Sequence, residues 1–357
     1  MVSSDNEIQN WLFSHSLEKI ALYKTYLINY LSVMCNQDYW KKIYIWEPFA
    51  GSGEYDNGEG SPIEAARVIH DFSPQHPNKR IRLFVNELDR EKLESLNRIL
   101  EDKGFSDFVK TEQGRAENFL KNSLLETVKH GSSHNFIFID PYGYTQISPE
   151  LLEQVLRLSN CDYLLFFPTY NMYRARKKNN SPSAKLLLDL GADKKDLENL
   201  SSQKAFVGEI KNRLMCKSKA DYVFEYKLQD RRPGVTNNSF HLFFITRNLR
   251  GVEKFIEAKR TVDLNEASQF QLVREHDTKV AVKNIIQGEA EIDNKKLCEL
   301  CLISGHLKSE VRAALKKLER NNEIEVIDPK DERRQGGYYL GLDKPKVKLL
   351  FRLAPQD

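Results

Sequence analysis

The first strand-forming run of the sequence leads into a turn that carries two glycines. Residues 43–55 read "IYIWEPFAGSGEY". The third glycine of a dinucleotide fingerprint is missing, and no Gly-Lys-Ser/Thr follows as a P-loop would require. Glycine lets a ligand approach the backbone closely. Since both phosphate-binding motifs are absent, the turn predicts a ligand without a pyrophosphate. The residues of this turn that we assign to ligand binding are Glu47, Phe49, Ala50, Gly51 and Gly53.

A pair of acids ends the second strand-forming run, which closes with "FVNELD". Ligands of doubly wound sheets bind at the carboxyl ends of the strands, where a carboxylate can accept both hydroxyls of a ribose. Asp89 is better placed to cap the helix that follows, so we assign the ribose to Glu87. An acid at this position, together with a two-glycine turn, fits S-adenosylmethionine (SAM), a nucleoside ligand without phosphate.

The loop after the third strand reads "EQGRAENFL". Gly114 and Ala116 are the residues that could lie along an adenine ring at the same edge of the sheet. The alternative is an ordinary turn, with Glu117 in the first turn of a helix. The sequence leaves these two interpretations open.

The fourth strand ends "IFIDPYGYTQ". An aspartate after four apolar residues would be costly in a core, so Asp140 is expected at the carboxyl edge of the sheet. Asp140, the carbonyl of Pro141 and the ring of Tyr142 could hold an exocyclic amine during attack on a sulfonium methyl group. Such a transfer needs positioning more than strong base catalysis. A strand-end turn with a helix cap is the alternative.

Strands and helices alternate from residue 41 onwards, after a helical preface over residues 1–40. Near-continuous apolar strands that alternate with helices predict a parallel sheet covered on both faces. Two later runs, "DYVFEYKLQD" and "SFHLFFITRN", are separated by a turn-rich "RRPGVTNN" and predict an antiparallel terminal pair. We therefore predict a Rossmann-like fold of the SAM-methyltransferase type over residues 41–265, with a helical insertion at about 171–220.

The composition shifts to short helices after residue 265. The runs "NKKLCELCLISG", "LKSEVRAALKKLERNN", "EIEVID" and "GGYYLGL" predict helix, helix, strand and strand. This is the outline of a winged helix-turn-helix, which we place at residues 266–357. Cys298 and Cys301 have the spacing of metal ligands, but no second pair follows, so we interpret them as small apolar residues and predict no metal site.

Two basic segments are candidates for contact with DNA or RNA. Basic residues interleaved with tyrosines in "YNMYRARKKNN" could neutralise phosphates and stack on an unpaired base, although a solvated loop would look the same. The helix from Leu307 and the hairpin tip "DERRQGG" form the second segment, and some winged helices contact proteins instead. The predicted nucleic-acid-binding residues are Tyr170, Arg174, Arg176, Lys177, Lys178, Lys308, Arg312, Lys316, Arg333 and Arg334.

Composition sets limits on the class of protein. The chain has 357 residues and a formal net charge of +3, so any basic surface must be local. Its five cysteines are scattered and odd in number, unlike a secreted disulfide framework, and a cytoplasmic location is expected. Neither a signal peptide nor a membrane anchor is expected, because no stretch approaches the roughly 20 apolar residues of a membrane span.

The combination "WEPFAGSGEYDNGEGSPIEAA", "FVNELD", "FIFIDPYGY" and "SFHLFFITRNLRGVEKFIEA" resembles the bacterial three-Cys-motif partner proteins over roughly residues 10–262. Ser52 stands where that family commonly has proline, and Tyr142 where it commonly has phenylalanine. The resemblance implies a class I SAM-dependent methyltransferase-like fold and a neighbouring gene for a three-cysteine protein partner. It also implies a phage-defence or mobile-element context. The positions that match the family are Phe49, Ala50, Gly51, Gly53, Gly60, Ser61, Pro62, Asp140, Pro141 and Gly143.

These patterns predict a SAM-dependent methyltransferase that acts on or with nucleic acid, with the amine of a base as its acceptor. The competing hypothesis is a non-catalytic adaptor or sensor that binds SAM or another nucleotide and contacts DNA or a protein through the winged helix. A nicotinamide dehydrogenase is disfavoured by the glycine spacing and by the lack of a catalytic histidine or lysine near the predicted cleft.

Overall fold

The structure is a computed structural model that describes residues 12–141, 146–176, 186, 188, 190–229, 239–264, 269–328, 337–343 and 347–355. The chain divides into two compact units, Met1–Arg247 and Asn248–Asp357. Among the helices of the described ranges, none combines the length and the apolar character needed to cross a bilayer.

The first unit is built on a seven-stranded sheet in the order β3-β2-β1-β4-β5-β7-β6. Strands β1 to β5 run parallel, whereas β7 pairs antiparallel with both β5 and β6. The predicted Rossmann-like sheet with an antiparallel terminal pair is therefore confirmed. The strand bounds are Lys42–Glu47 (β1), Arg80–Glu87 (β2), Val109–Gln113 (β3), Ser133–Ile139 (β4), Cys161–Phe167 (β5), Tyr222–Gln229 (β6) and Ser239–Thr246 (β7).

The helices of the first unit begin where the sequence provides capping residues. The Asp89 side chain accepts hydrogen bonds from two amides at the start of α3, and Ser148 caps α5 just before Pro149. Helices α6 to α8 lie between β5 and β6, where the sequence predicts a helical insertion. The bounds are Ser14–Met34 (α1), Ser61–Phe72 (α2), Arg90–Asp102 (α3), the continuous helical segment 116–130 (α4), Pro149–Leu156 (α5), Thr169–Ala175 (α6), Lys194–Asn199 (α7) and Gln203–Ser218 (α8).

Burial follows from this layered arrangement. Every residue of β5 and of β7 is buried, because helices or other elements cover both faces of the sheet at these strands. The strand order reverses between the adjacent strands β1 and β4. From β1 the chain continues to β2 and β3 on one side of the sheet, and from β4 it continues to β5 on the other side. In a doubly wound sheet, the carboxyl ends of strands at such a reversal open a crevice for a ligand.

The second unit holds helices packed with a three-stranded antiparallel sheet in the order β8-β10-β9. The sequence predicts that "GGYYLGL" forms the last strand, and this is wrong, because residues 337–343 are not in a strand. Tyr339 has a φ of +47°, which a continuous strand does not allow. The bounds are Leu249–Leu264 (α9), Gln269–Glu289 (α10), Ile292–Asp293 (β8), Asn294–Ile303 (α11), Lys308–Arg320 (α12), Ile324–Ile327 (β9) and Leu350–Leu353 (β10).

Helix α9 belongs to the second unit through its side-chain contacts. Arg260 of α9 forms an ion pair with Glu310 at 2.8 Å, and Glu253 of α9 pairs with Lys308 at 2.8 Å. The two compact units consequently divide between Arg247 and Asn248, whereas the sequence predicts a boundary near residue 265.

Candidate functional site

The turn after β1 depends on two glycines in the left-handed region. Gly51 has a φ of +72° and Gly53 a φ of +85°. A Cβ atom on Gly53 would lie 2.6 Å from Cδ1 of Leu96 and 3.2 Å from Cγ1 of Ile63. Both the backbone conformation and the close packing therefore favour glycine at this turn.

Glu87, at the end of β2, is bonded to this turn. One carboxylate oxygen accepts a hydrogen bond from the Gly51 amide at 2.8 Å, and the other accepts one from the Asp89 amide at 3.0 Å. Each carboxylate oxygen can accept two hydrogen bonds, so Glu87 keeps acceptor capacity for a ligand. The expected division of roles is confirmed for Asp89, which caps α3.

A cavity of about 1140 Å³ lies at this edge of the sheet. Its lining includes residues from the ends of β1, β2, β3 and β4, as well as the start of α1. Gly51 and Gly53 shape the turn behind Ala50 rather than line the cavity, and Tyr142 falls outside the described residues. The predicted site residues that line the cavity are Phe49, Ala50, Glu87, Gly114, Ala116, Asp140 and Pro141.

Glu47, a predicted cofactor-binding residue, is not among the lining residues. It is 1% exposed and accepts hydrogen bonds from the Tyr23 hydroxyl and the Ser61 hydroxyl, both at 2.6 Å. Burial raises the pKa of Glu47 to about 7, an effect that these two hydrogen bonds oppose. The structure thus places Glu47 in the core, where it joins β1 to α1 and α2.

Asp140 forms an ion pair with Lys19 of α1, a residue that no pattern in the sequence assigns to the site. Lys19 is 8% exposed, and its ammonium group lies 4.4 Å from the centre of the Phe166 ring. Both members of the pair line the cavity. A cation and an anion therefore stand side by side where the sequence predicts only the acid.

Four aromatic rings form one wall of the cavity near this ion pair. His15 stacks on Phe240 with ring centres 4.2 Å apart and on Phe13 at 5.7 Å. Phe240 stacks in turn on Phe166 at 5.8 Å. All four residues line the cavity, and we call them the aromatic wall. Flat, apolar surfaces of this kind suit a planar ligand.

Asn86, just before Glu87, joins two loops of the cavity. Its side-chain amide donates hydrogen bonds to the carbonyl of Pro48 at 3.1 Å and to that of Gly114 at 3.0 Å. The Oδ1 atom of Asn86 is buried and has no hydrogen-bond partner among the described residues. The sequence does not indicate this role of Asn86, because a polar residue near the end of a strand is common.

The basic residues after β5 differ in whether their side chains are engaged within the fold or exposed to solvent. Arg176 lies 3.7 Å over the ring of Tyr173 and donates hydrogen bonds to the carbonyls of Tyr173 and Leu200, which engages it within the fold. Arg174 is exposed and lies 5.6 Å from the ring centre of Tyr170. Lys177 and Lys178 lie outside the described residues.

The basic residues of α12 also separate into two groups. Lys308 forms an ion pair with the buried Glu253 and is mostly covered, whereas Arg312 and Lys316 are exposed. Arg333 and Arg334 lie outside the part of the chain that the structure describes. Among the described residues that the sequence predicts for this unit, Arg312 and Lys316 are therefore the two whose side chains are exposed.

The two cysteines with metal-ligand spacing are buried in α11. Burial raises the pKa of Cys298 to about 11 and that of Cys301 to about 12, which keeps both thiols neutral. Within the described ranges, no three His, Cys, Asp or Glu side chains are grouped so that they could hold a metal ion. The interpretation of both cysteines as small apolar residues agrees with this position.

Comparison with known proteins gives only distant structural similarities. No protein-family model matches the chain, and no curated protein matches it. The O-methyltransferase TomG from Streptomyces achromogenes, crystallised with SAM, is 18% identical over 62% of this chain and 79% of its own, with a TM-score of 0.34. An O-methyltransferase from Bacillus cereus, in complex with the demethylated product SAH, is 14% identical over 69% of this chain and 93% of its own, with a TM-score of 0.36. A putative rRNA-methylase from Clostridium thermocellum is 10% identical over 61% of this chain and 92% of its own, with a TM-score of 0.31.

Proposed function

We propose that the first unit is a SAM-dependent methyltransferase. The observation that carries this proposal is the convergence of the glycine turn, Glu87 and Asp140, from three different strand ends, at one cavity. Pockets for drug-sized ligands span roughly 300–1,000 Å³. A cavity of about 1140 Å³ would therefore hold SAM together with part of an acceptor.

The residues present fit SAM because the site offers hydrogen-bond acceptors for a nucleoside and apolar surface for its ring. Glu87 would accept hydrogen bonds from the ribose hydroxyls, and Leu88, which is 60% exposed and lines the cavity, would cover one face of the adenine. Gly114 and Ala116 would border that ring. The Oδ1 atom of Asn86, which is buried and has no hydrogen-bond partner within the described ranges, lies beside Gly114 and would add an acceptor on this side. When bound, SAM supplies an electrophilic methyl group.

The acceptor in this proposal is an amine of a nucleic-acid base. Asp140 would hold the amine, and the aromatic wall supports a planar substrate. We further propose that the second unit is a winged helix that binds nucleic acid, with the exposed Arg312 and Lys316 of α12 on its binding face. Its three-stranded antiparallel sheet and its helices α11 and α12 support this assignment. The three-cysteine partner and the phage-defence context implied by the resemblance complete the proposal.

One observation favours the second candidate, a non-catalytic adaptor that binds SAM or another nucleotide. The ammonium group of Lys19 already pairs with one carboxylate oxygen of Asp140, the group that would position the acceptor amine. An acceptor must therefore share or displace this contact. If it cannot, the fold would keep a ligand site without turnover.

The experiment that tests the proposal is calorimetric titration of the full chain with SAM and with SAH. We expect micromolar binding that is lost in Glu87→Ala and Gly51→Trp. Glu91→Ala is the matched control, because this exposed acid lies on α3 outside the cavity, and it should bind as the parent does. Thermal unfolding of each variant checks that loss of binding is not loss of fold.

The outcomes separate the two candidates. Binding that disappears in both Glu87→Ala and Gly51→Trp justifies a search for methyl incorporation into tRNA, rRNA and DNA. Binding of SAM with no incorporation into any of these nucleic acids would favour the adaptor. No binding by folded protein would refute the assignment of the cavity to SAM.

A further inference from the structure

The ion pair at the cavity presents a hydrogen-bond donor directly beside an acceptor. We propose that Lys19 and Asp140 together read the edge of the acceptor base, so that the acceptor is adenine or cytosine in an unpaired strand. Asp140 accepts a hydrogen bond from the exocyclic amine, and Lys19 donates one to the neighbouring ring nitrogen. This inference deepens the proposed function and depends on it.

The position of the pair supports a role in recognition rather than a surface contact. Lys19 is 8% exposed, Asp140 is partly covered, and both line the cavity. The ammonium group also rests on the face of the Phe166 ring, which restricts where it can point. Surface ion pairs lack such constraints and are worth little.

The polarity of the pair selects among the bases. Lysine is only a donor and an ionised aspartate only an acceptor. Adenine presents its N6 amine next to the N1 acceptor, and cytosine presents its N4 amine next to the N3 acceptor. Held in the same register, thymine and uracil place the O4 acceptor against Asp140 and the N3–H donor against Lys19, which is the reverse of what the pair requires. On the same edge, guanine places a second donor, N1–H, next to its amine, so that Lys19 would face a donor.

The base must be unpaired, because a duplex already uses this edge. Enzymes that act on such atoms bind single strands or flip the base out of the helix. The aromatic wall lies at the same end of the cavity as the ion pair, since Phe166 contacts Lys19 and stacks in the wall with Phe240. Stacking on aromatic rings is how proteins hold unpaired bases.

The test uses fluorescence anisotropy of labelled single-stranded homopolymers of dA, dC and dT, titrated with the full chain in the presence of SAH. We expect the parent to bind the dA and dC strands about tenfold more tightly than the dT strand, from one charge-assisted hydrogen bond. Lys19→Met should reduce this preference to near zero. Lys24→Met is the matched control, because Lys24 lies on the same helix and pairs with Glu64 outside the cavity.

Asp140→Asn provides a second variant in case Lys19→Met does not fold. It keeps the shape of the side chain while it removes the charge that accepts from the amine, so it should also lose the preference for dA and dC. Equal binding to the three strands, no binding to any, or a preference unchanged in Lys19→Met would overturn the inference. So would methylation of Lys19 itself, detected by mass spectrometry after incubation with SAM, because Lys19 would then be the acceptor.

The two proposals fail in different ways. Calorimetry with SAM reports on the donor site alone. SAM binding without a preference for dA and dC would refute only the recognition by Lys19 and Asp140. Absence of SAM binding would refute the proposed function.

Discussion

Glu47 should make the stability of the first unit fall as the pH rises. Burial raises its pKa from an ordinary 4.5 to about 7, so between these values the folded state binds a proton that the unfolded chain releases. The free energy of unfolding must then decrease with pH, by about 2–3 kcal/mol between pH 5 and pH 8. Glu47→Gln removes the ionisable group. The hydroxyls of Tyr23 and Ser61 can rotate so that they still form hydrogen bonds with the glutamine amide.

The variant must be compared with the parent at each pH, because other groups titrate in the opposite sense. Burial lowers the pKa of His134 and that of His241, so the folded state loses stability as the pH falls below their ordinary value of 6.5. These contributions cancel in the difference between Glu47→Gln and the parent. That difference should grow by about 2–3 kcal/mol from pH 5 to pH 8 in favour of the variant.

Urea unfolding followed by tryptophan fluorescence measures this difference. The three tryptophans of the sequence, Trp11, Trp40 and Trp46, all precede residue 47, so the signal reports on the first unit. A difference that stays constant from pH 5 to pH 8 would refute the reasoning, since it would mean that Glu47 ionises normally in the fold. SAM binding by Glu47→Gln should persist, because Glu47 does not line the cavity.

Two further predictions use matched pairs of substitutions. Gly53→Ala should destabilise the first unit by more than about 2 kcal/mol, from its positive φ and a 2.6 Å contact, whereas Gly104→Ala, with positive φ but open space around it, should cost about 1 kcal/mol. Urea unfolding of both variants checks this, and equal costs would contradict the packing argument. Arg312→Ala should weaken nucleic-acid binding and lower its salt dependence. Lys308→Ala should instead leave affinity nearly unchanged and cost about 1 kcal/mol of stability, because it removes the closer of the two cations that pair with the buried Glu253 and leaves only Arg250, at 3.4 Å. Anisotropy at two salt concentrations and thermal unfolding distinguish these effects.

The sheet and the candidate cavity could be predicted because their signals are local. Strand β4 ends in the apolar run 136–139 and β5 in the apolar run 163–167, as expected of strands covered on both faces. Parallel strands share a direction, so residues that follow several strands meet at one edge. This rule alone brings Glu87 and Asp140 to the same cavity. Local signals also misled, since "GGYYLGL" has a strand-like pattern that the positive φ of Tyr339 interrupts.

The partners of these acids could not be predicted, because they depend on how distant segments pack. Lys19 precedes Asp140 by 121 residues, and the spacing of apolar residues in α1 does not specify which strand end its polar residues reach. Glu47 illustrates the same limit in reverse. Its place before the glycine turn suggested a ligand contact, but Tyr23 and Ser61 use both of its oxygens in the core.

One face of α1 explains why the helix belongs with the sheet. Lys19, Tyr23, Tyr26 and Tyr30 recur at intervals of three or four residues and therefore lie on the same side of the helix. Each one contacts a polar residue of the sheet region, and burial of such groups is costly without a partner. The contacts are, in the same order, with Asp140, Glu47, Asp162 and His134.

The same helix face therefore has two effects. Its tyrosines satisfy buried polar groups at three positions along the sheet, and its lysine brings a cation to the candidate active site. Because Lys19 and Tyr23 are one helical turn apart, a shift of α1 that breaks the contact between Tyr23 and Glu47 would also move the ammonium group away from Asp140. The stability of the first unit and the geometry of the proposed acceptor site are in this way coupled through α1.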